Sequence, residues 1–165
     1  MLAIEFYLIK KTLPMETNKE IISDLKELLS IVNDGKEGYE SSSETTENIE
    51  LKGVFLKYSA QRAAYAEELR AHIAVHGAEA ENESGGVLGA LHRTWIDIKE
   101  ALSSKEDAAV LEAVVTGEKS AIETYDKYIS DYVDHADHIE LLKKQRAGVA
   151  EALVEIEGLL ARSKS

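Results

Sequence analysis

The sequence predicts an all-α protein in which four long helices form a bundle of two antiparallel hairpins. Aromatic residues make up only 6% of the chain, and Pro14 is its single proline. Together with many Ala, Leu, Glu, Lys and Ile residues, this composition favours helix over sheet. Apolar residues also recur at steps of three and four along most of the chain, as they do on one face of a helix. A length of 165 residues suits one packed domain and is short for two.

The N-terminal segment 1–14 is apolar but fits neither a signal peptide nor a membrane anchor. It has no basic residue ahead of its apolar part, Glu5 lies within that part, and it is too short to span a bilayer. Met15 follows directly, ahead of the polar "ETNKE" and a helical pattern. We therefore expect translation to start at Met15, so that 1–14 is either a leader absent from the native protein or a loosely attached arm, and we expect 15–165 to form a single domain.

The first hairpin is predicted to consist of helices at about 18–45 and 49–76. The apolar stripe of the first helix is Ile21, Ile22, Leu25, Leu28, Leu29 and Val32. The stripe of the second helix is Leu51, Val54, Phe55, Tyr58, Tyr65, Leu69 and Ile73. Gly77 suits the end of the second helix, and the short "TTEN" between the two helices makes the pair antiparallel.

A shorter third helix and a second hairpin follow the acidic loop "GAEAENESGG". The third helix carries Val87, Leu88, Leu91, Trp95, Ile98 and Leu102 on one face and ends at Ser103 and Ser104. Helices at about 106–129 and 134–162 form the second hairpin. The apolar stripe of the first of these two helices is Val110, Val114, Ala121, Ile122 and Tyr125. The stripe of the last helix is Ile139, Leu142, Val149, Leu153, Ile156 and Leu160. The loop and third helix then supply a long crossover between the hairpins, which is a ferritin-like topology.

Four segments carry a resemblance to a known family. They are "NDGKEGY" in the first helix, "ELKGVFLKYSAQR" in the second, "GGVLGALHRTWIDIKEAL" in the third and "GEKSAIETY" in the fourth. The sequence resembles a bacterial family of uncharacterised ferritin-like four-helix-bundle proteins, a domain of unknown function, over roughly 19–160. The resemblance implies the ferritin-like fold and says little about activity.

Glu118 lies close to the centre of the apolar stripe of the fourth helix, where an aliphatic side chain is expected. Arg62 faces inward on the second helix, Arg146 lies near the inner face of the fifth, and Lys36 and Glu40 lie within the stripe of the first. Counting helical turns from the hairpin ends places the two arginines and Glu118 near mid-bundle. We therefore predict an internal polar layer of all five residues, in which Glu118 pairs with Arg62 or Arg146.

A metal site is the alternative interpretation of Glu118. In metal-binding ferritin-like bundles, two helices each supply a Glu and the other two each supply a Glu-x-x-His pair. No such pair occurs here, because Glu68 and His72 in "EELRAHIAVH" are four residues apart. His135 and His138 precede the stripe of the fifth helix and are predicted to face solvent. The alternative site would hold iron or manganese with Glu37, Glu40, Glu68 and Glu118.

Composition also limits the classes of partner. A formal net charge of −12 disfavours binding to nucleic acid and to anionic membranes. Without cysteine the chain forms no disulfide and no thiolate site, which fits a reducing cytoplasm. His92 and Trp95 share the apolar face of the third helix, where they are predicted to cap the bundle, with a small ligand pocket beneath Trp95 as the alternative.

We therefore expect a non-enzymatic, cytoplasmic, ferritin-like protein that needs no cofactor and self-associates through an outer helix face. No catalytic residue is predicted, because the Ser-rich "ESSSE" has no accompanying His–Asp constellation. Two alternatives stay open. One is a di-iron or other metal-carboxylate protein related to iron or oxidative stress, and the other is a helical interaction module with Trp95 at its binding groove and a partner that the sequence does not indicate.

Overall fold

The computed structural model describes residues 15–80, 90–132 and 136–165, with side chains from residue 18 onward and, in the third helix, from residue 97 onward. These residues form five helices and no strand: α1 (Met15–Thr45), α2 (Ile49–Val75), α3 (Ala90–Ser104), α4 (Asp107–Asp131) and α5 (Ala136–Ser163). The predicted all-α class is confirmed, and each predicted helix occurs with ends within a few residues of the expected ones. The segment 1–14 lies outside the described residues.

The long helices pack as two hairpins whose neighbouring helices run antiparallel. α1 packs along α2 and α4 along α5, while α1 also contacts α4 and α2 contacts α5. Asn18 at the start of α1 bonds to His76 just after α2, and Glu50 at the start of α2 pairs with Arg162 near the end of α5. These directions make α2 and α4 parallel, so the chain between them connects opposite ends of the molecule. α3 lies in this connection and packs on α4 and α1.

The core is divided into two apolar clusters, each built from all four long helices. One cluster includes Leu69 of α2 and Tyr125 of α4, and the other includes Phe55 of α2 and Leu111 of α4; all four are fully buried. Burial of such side chains contributes about 1.5–3 kcal/mol each and supplies most of the drive to fold. The level between the two clusters is polar.

A left-handed glycine ends α2. Gly77 has a φ of 87°, which costs a glycine little because it has no Cβ. Its N–H donates to Ala74 O at 3.0 Å, and the N–H of Ala78 donates to Ile73 O at 3.2 Å, the two bonds of a Schellman motif. Ala78 also packs against the nearby apolar cluster. The motif therefore holds His76, the last residue before Gly77, in a defined position.

The inner face of α5 differs from the stripe that its aliphatic residues predict. Its buried residues are His138, Leu142, Gln145, Val149, Ala152, Ile156 and Leu159, spaced alternately by four and three. The predicted inner residues Ile139, Leu153 and Leu160 are only partly buried at the edges of this face. Because several inward positions carry polar or small side chains, the aliphatic residues alone misplace the centre of the face.

Glycine at position 148 allows α5 to approach α2 closely. A Cβ built at Gly148 would lie 1.7 Å from the hydroxyl oxygen of Tyr65 and 3.1 Å from Gln61 Nε2. Gly158 on the same helix has nothing within 4 Å of the equivalent position. The two glycines thus share a helix and differ in whether a side chain has room.

We predict that Gly148→Ala destabilises the fold by about 1–3 kcal/mol, because the added methyl group must displace the buried Tyr65 side chain. Gly158→Ala is the matched control; it should raise the free energy of unfolding by up to about 1 kcal/mol, since alanine favours helix over glycine. Urea denaturation followed by circular dichroism measures both changes. Equal effects of the two substitutions would contradict the close approach at Gly148.

Candidate functional site

A buried ion pair crosses the interior at the polar level between the two apolar clusters. Arg62 of α2 donates from Nη1 to Glu118 Oε1 at 2.8 Å and from Nη2 to Glu118 Oε2 at 2.5 Å. The two side chains are 2% and 5% exposed. A two-point contact of this kind is both stronger and more directional than a single hydrogen bond. The pair joins α2 to α4, two helices that face each other across the interior.

Each charge of the pair depends on the other. Burial raises the pKa of the Glu118 carboxyl, and the Arg62 guanidinium opposes that shift. Burial also lowers the pKa of Arg62, but the Glu118 charge together with the neighbouring tyrosines outweighs this effect and keeps the pKa of Arg62 above its usual value. Because both carboxylate oxygens accept hydrogen bonds from a cation, we regard Glu118 as ionised at neutral pH. The loss of hydration and the mutual attraction roughly cancel in such a buried pair.

Tyr39 and a small cavity lie beside the ion pair. The guanidinium carbon of Arg62 is 5.6 Å from the centre of the Tyr39 ring. Burial and the neighbouring Glu118 charge raise the pKa of Tyr39 well above its usual value, so its hydroxyl stays protonated. The cavity has a volume of about 60 Å³ and is lined by both members of the pair together with residues of α1, α3 and α4. A space of this size holds a few water molecules.

Gln145, not Arg146, is the inward polar residue of α5. Arg146 lies at the surface with its side chain 38% exposed, and its Nε donates to Asp126 Oδ1 at 2.6 Å. Gln145 is fully buried, accepts from the Tyr125 hydroxyl at 2.7 Å and donates to the backbone oxygen of Tyr65 at 3.2 Å. The prediction that Arg146 belongs to the internal layer is therefore corrected: α5 is rotated so that the preceding residue faces inward.

The remaining residues of the predicted layer and of the predicted metal site do not converge on Glu118. Lys36 is half-buried, and its backbone oxygen accepts from Ser59 Oγ at 3.3 Å. Glu37 and Glu40 are exposed, and Glu68 pairs with Lys144 on the surface between α2 and α5 at 2.9 Å. A carboxylate cage for iron or manganese is thus not assembled from these four glutamates, because helix rotation turns the other three away from the interior.

The pocket predicted at His92 and Trp95 lies in the part of α3 whose side chains are not described. Both the pocket and the interaction groove at Trp95 stay predictions. Ile98, one turn further along α3, is buried and lines the cavity beside the ion pair.

Three histidines meet where α2 ends and α5 begins. His72 Nε2 lies 2.9 Å from His138 Nδ1, and the His76 ring centre is 4.9 Å from that of His72 and 6.0 Å from that of His138. One ring nitrogen of each histidine lies within 4.8 Å of the other two. Within the described parts of the chain, no other group of three His, Cys, Asp or Glu side chains is arranged to hold a metal ion.

The sequence-based expectation for His138 was wrong. It was predicted to face solvent, but it is 1% exposed. The spacing of His72 and His76, four residues apart on a helix, was a usable signal that two imidazoles share a face. Spacing along the chain could not show that His138 of another helix joins them, because that contact depends on how α5 packs on α2.

Neighbouring groups at the histidine cluster shift the pKa values of His72 and Asp137. Burial, together with His76 nearby, lowers the pKa of His72. Asp137 lies near the cluster; burial raises its pKa, but the backbone N–H of His138 and the His72 and His76 rings lower it by more. An ionised carboxylate therefore lies close to the histidine cluster.

Comparison with known families assigns the chain. The model of a family described as "Domain of unknown function (DUF2383)" matches residues 20–131. The chain belongs to this family. The DUF2383 match includes all four segments on which the resemblance rested, and it confirms an uncharacterised family. It covers Arg62, Glu118, His72 and His76, while His138 and Gln145 lie beyond its end.

Comparison with curated proteins and with solved structures finds no match for this DUF2383 protein. None of the helices in the described part of the chain is long and apolar enough to cross a membrane.

We predict that Arg62→Met destabilises the DUF2383 fold by about 3–5 kcal/mol, because it leaves the Glu118 carboxylate buried without a partner. The double variant Arg62→Met with Glu118→Leu removes both charges and should recover most of this loss. Arg146→Met is the matched control at an exposed ion pair, and we expect a change below about 1 kcal/mol. Urea denaturation measures all three variants, and similar losses for Arg62→Met and Arg146→Met would contradict the dominance of the buried pair.

Proposed function

We propose that this DUF2383 protein is a non-enzymatic, ferritin-like four-helix bundle in which the Arg62–Glu118 pair replaces a mid-bundle metal centre. The observation that carries the proposal is the two-point contact between these side chains, at 2.8 and 2.5 Å. The resemblance to a bacterial family and the absence of cysteine lead us to include a bacterial cytoplasmic location in the same proposal.

The order and direction of the helices support the ferritin-like part of the proposal. α1 with α2 and α4 with α5 form two hairpins, and α2 and α4 run parallel on opposite sides of the interior. The connection between them therefore spans the length of the helices and contains α3. One long crossover between two hairpins is the arrangement that distinguishes ferritin-like bundles from simple up-and-down bundles.

The chemistry of the mid-bundle level supports the non-enzymatic part. A carboxylate-bridged metal centre needs several free carboxylate oxygens facing one point, and both oxygens of Glu118 already accept hydrogen bonds from Arg62. The guanidinium stays charged at any accessible pH, so it repels a cation brought to this level. The Tyr39 hydroxyl is held protonated, which makes it a poor proton acceptor. These groups support a structural role in which the pair fixes how the helices face each other.

We expect protein produced in medium supplemented with iron and manganese to contain no metal that depends on Glu118. Wild type, Glu118→Gln and the charge-free double variant, Arg62→Met with Glu118→Leu, should give the same iron and manganese content by elemental analysis. Tag-free protein is required, because an affinity tag of histidines binds metal itself.

Stoichiometric iron or manganese that is present in the wild type and absent from both Glu118 variants would overturn the proposal. The double variant keeps the comparison valid if Glu118→Gln alone folds poorly, since it leaves no unpaired buried charge.

A further inference from the structure

The three histidines where α2 meets α5 lie far from the ion pair and have no role in the proposed function. His72 and His76 are one turn apart at the end of α2, and His138 lies in the first turn of α5. Their three ring centres are separated by 4.9, 5.1 and 6.0 Å. The histidines therefore contribute to the contact between α2 and α5 at this end of the helices.

The hydrogen bonds of Asn18 determine which nitrogen of His76 carries the proton. The Asn18 Nδ2 group donates to the backbone oxygen of His76 at 3.0 Å, because a carbonyl oxygen can only accept. The Asn18 Oδ1 atom then faces His76 Nδ1 at 3.1 Å, so this ring nitrogen must be the donor. In the neutral ring the lone pair is left on Nε2, which is buried and has no hydrogen-bond partner among the described residues.

This arrangement is the one that metal-binding histidines use. A histidine ligand typically donates its other ring N–H to a nearby oxygen, which fixes both the tautomer and the direction of the lone pair. Asn18 supplies that oxygen to His76. His72 and His138 already face each other through Nε2 and Nδ1 at 2.9 Å, where one shared proton now lies between two ring nitrogens. A metal ion would replace that proton and bind both lone pairs.

The distances between the nitrogens suit a small divalent ion. Zinc–nitrogen bonds of about 2.0–2.1 Å place two ligand nitrogens of a tetrahedral site about 3.3 Å apart. The cluster has one pair at 2.9 Å and all three within 4.8 Å, so small ring rotations bring the atoms to the required spacing. Hard ions such as Mg²⁺ and Ca²⁺ prefer oxygen ligands, whereas imidazole suits Zn²⁺, Ni²⁺, Cu²⁺ and Co²⁺.

We propose that His72, His76 and His138 form a binding site for one divalent transition metal ion, with zinc as the reference ion. Three protein ligands leave a fourth position of a tetrahedral ion for water or for a small anionic ligand. The bound ion connects the end of α2 directly to the start of α5. The site stands apart from the mid-bundle level and does not rest on the proposed function.

Titration of tag-free, chelator-treated protein with Co²⁺ and Zn²⁺ tests the proposal. We expect one equivalent of Co²⁺ to give the intense visible absorption of a tetrahedral complex and one equivalent of Zn²⁺ to displace it. His72→Gln and His76→Gln should each weaken zinc binding about 100-fold or more, and Asn18→Ala, which removes the orienting oxygen, should weaken it about 10-fold. His72 and His76 are half-buried, so their replacement is milder than that of the fully buried His138.

Two controls separate this site from other metal binding. His92→Gln replaces a histidine that is not one of the three proposed ligands and should leave the affinity unchanged, as should Glu118→Gln at mid-bundle. Absence of a one-to-one zinc complex, unchanged affinity in both His72→Gln and His76→Gln, or an equal loss in His92→Gln would each overturn the site. Loss of zinc in Glu118→Gln with retention in His76→Gln would overturn both this inference and the proposed function, whereas the reverse pattern supports both.

Discussion

The buried pair of Arg62 and Glu118 is the constraint on which the arrangement of the helices depends. Either charge without the other would be strongly destabilising at a site this dry, and both side chains are almost fully buried. Sliding α2 past α4 by one turn, about 5.4 Å, would separate the two charges. The apolar clusters on either side stabilise the packed helices, but apolar contacts alone would allow many alignments of α2 with α4. The pair therefore selects one alignment among those that would bury similar apolar area.

Two sets of polar side chains in the interior lie at different levels along the helices. At mid-length, both carboxylate oxygens of Glu118 accept hydrogen bonds from Arg62, which leaves little capacity to bind an incoming cation. At the end where α2 meets α5, the histidines carry lone pairs, and Asn18 orients the ring of His76. The groups best suited to hold an ion thus lie at one end of the helices and not at their centre.

The helices and the inward facing of Arg62 and Glu118 follow from local patterns, because both residues lie at the centres of clear apolar stripes, although these patterns left Arg62 and Arg146 both open as the partner of Glu118. The rotation of α5 does not follow from such patterns. Its inner face includes His138, Gln145 and Ala152, which add little to a stripe judged by aliphatic residues, so the pattern points toward Arg146 instead. Packing against α2 decides the rotation, through the close approach of Gly148 to Tyr65. The spacing of residues along one helix cannot reveal a contact between residues so far apart in the chain. The histidine cluster was missed for the same reason.

The alternating spacing of the inward residues of α5 has a geometric consequence for the whole assembly. Steps of four and three average about 3.5 residues per turn, slightly fewer than the 3.6 of a straight helix. A stripe with this period drifts slowly around a straight cylinder and stays against its neighbour only if the helices wind around each other with a left-handed supercoil. Leu51, Phe55, Tyr58, Arg62, Tyr65 and Leu69 repeat the same spacing on α2. The two helices therefore share a common left-handed twist along their whole contact.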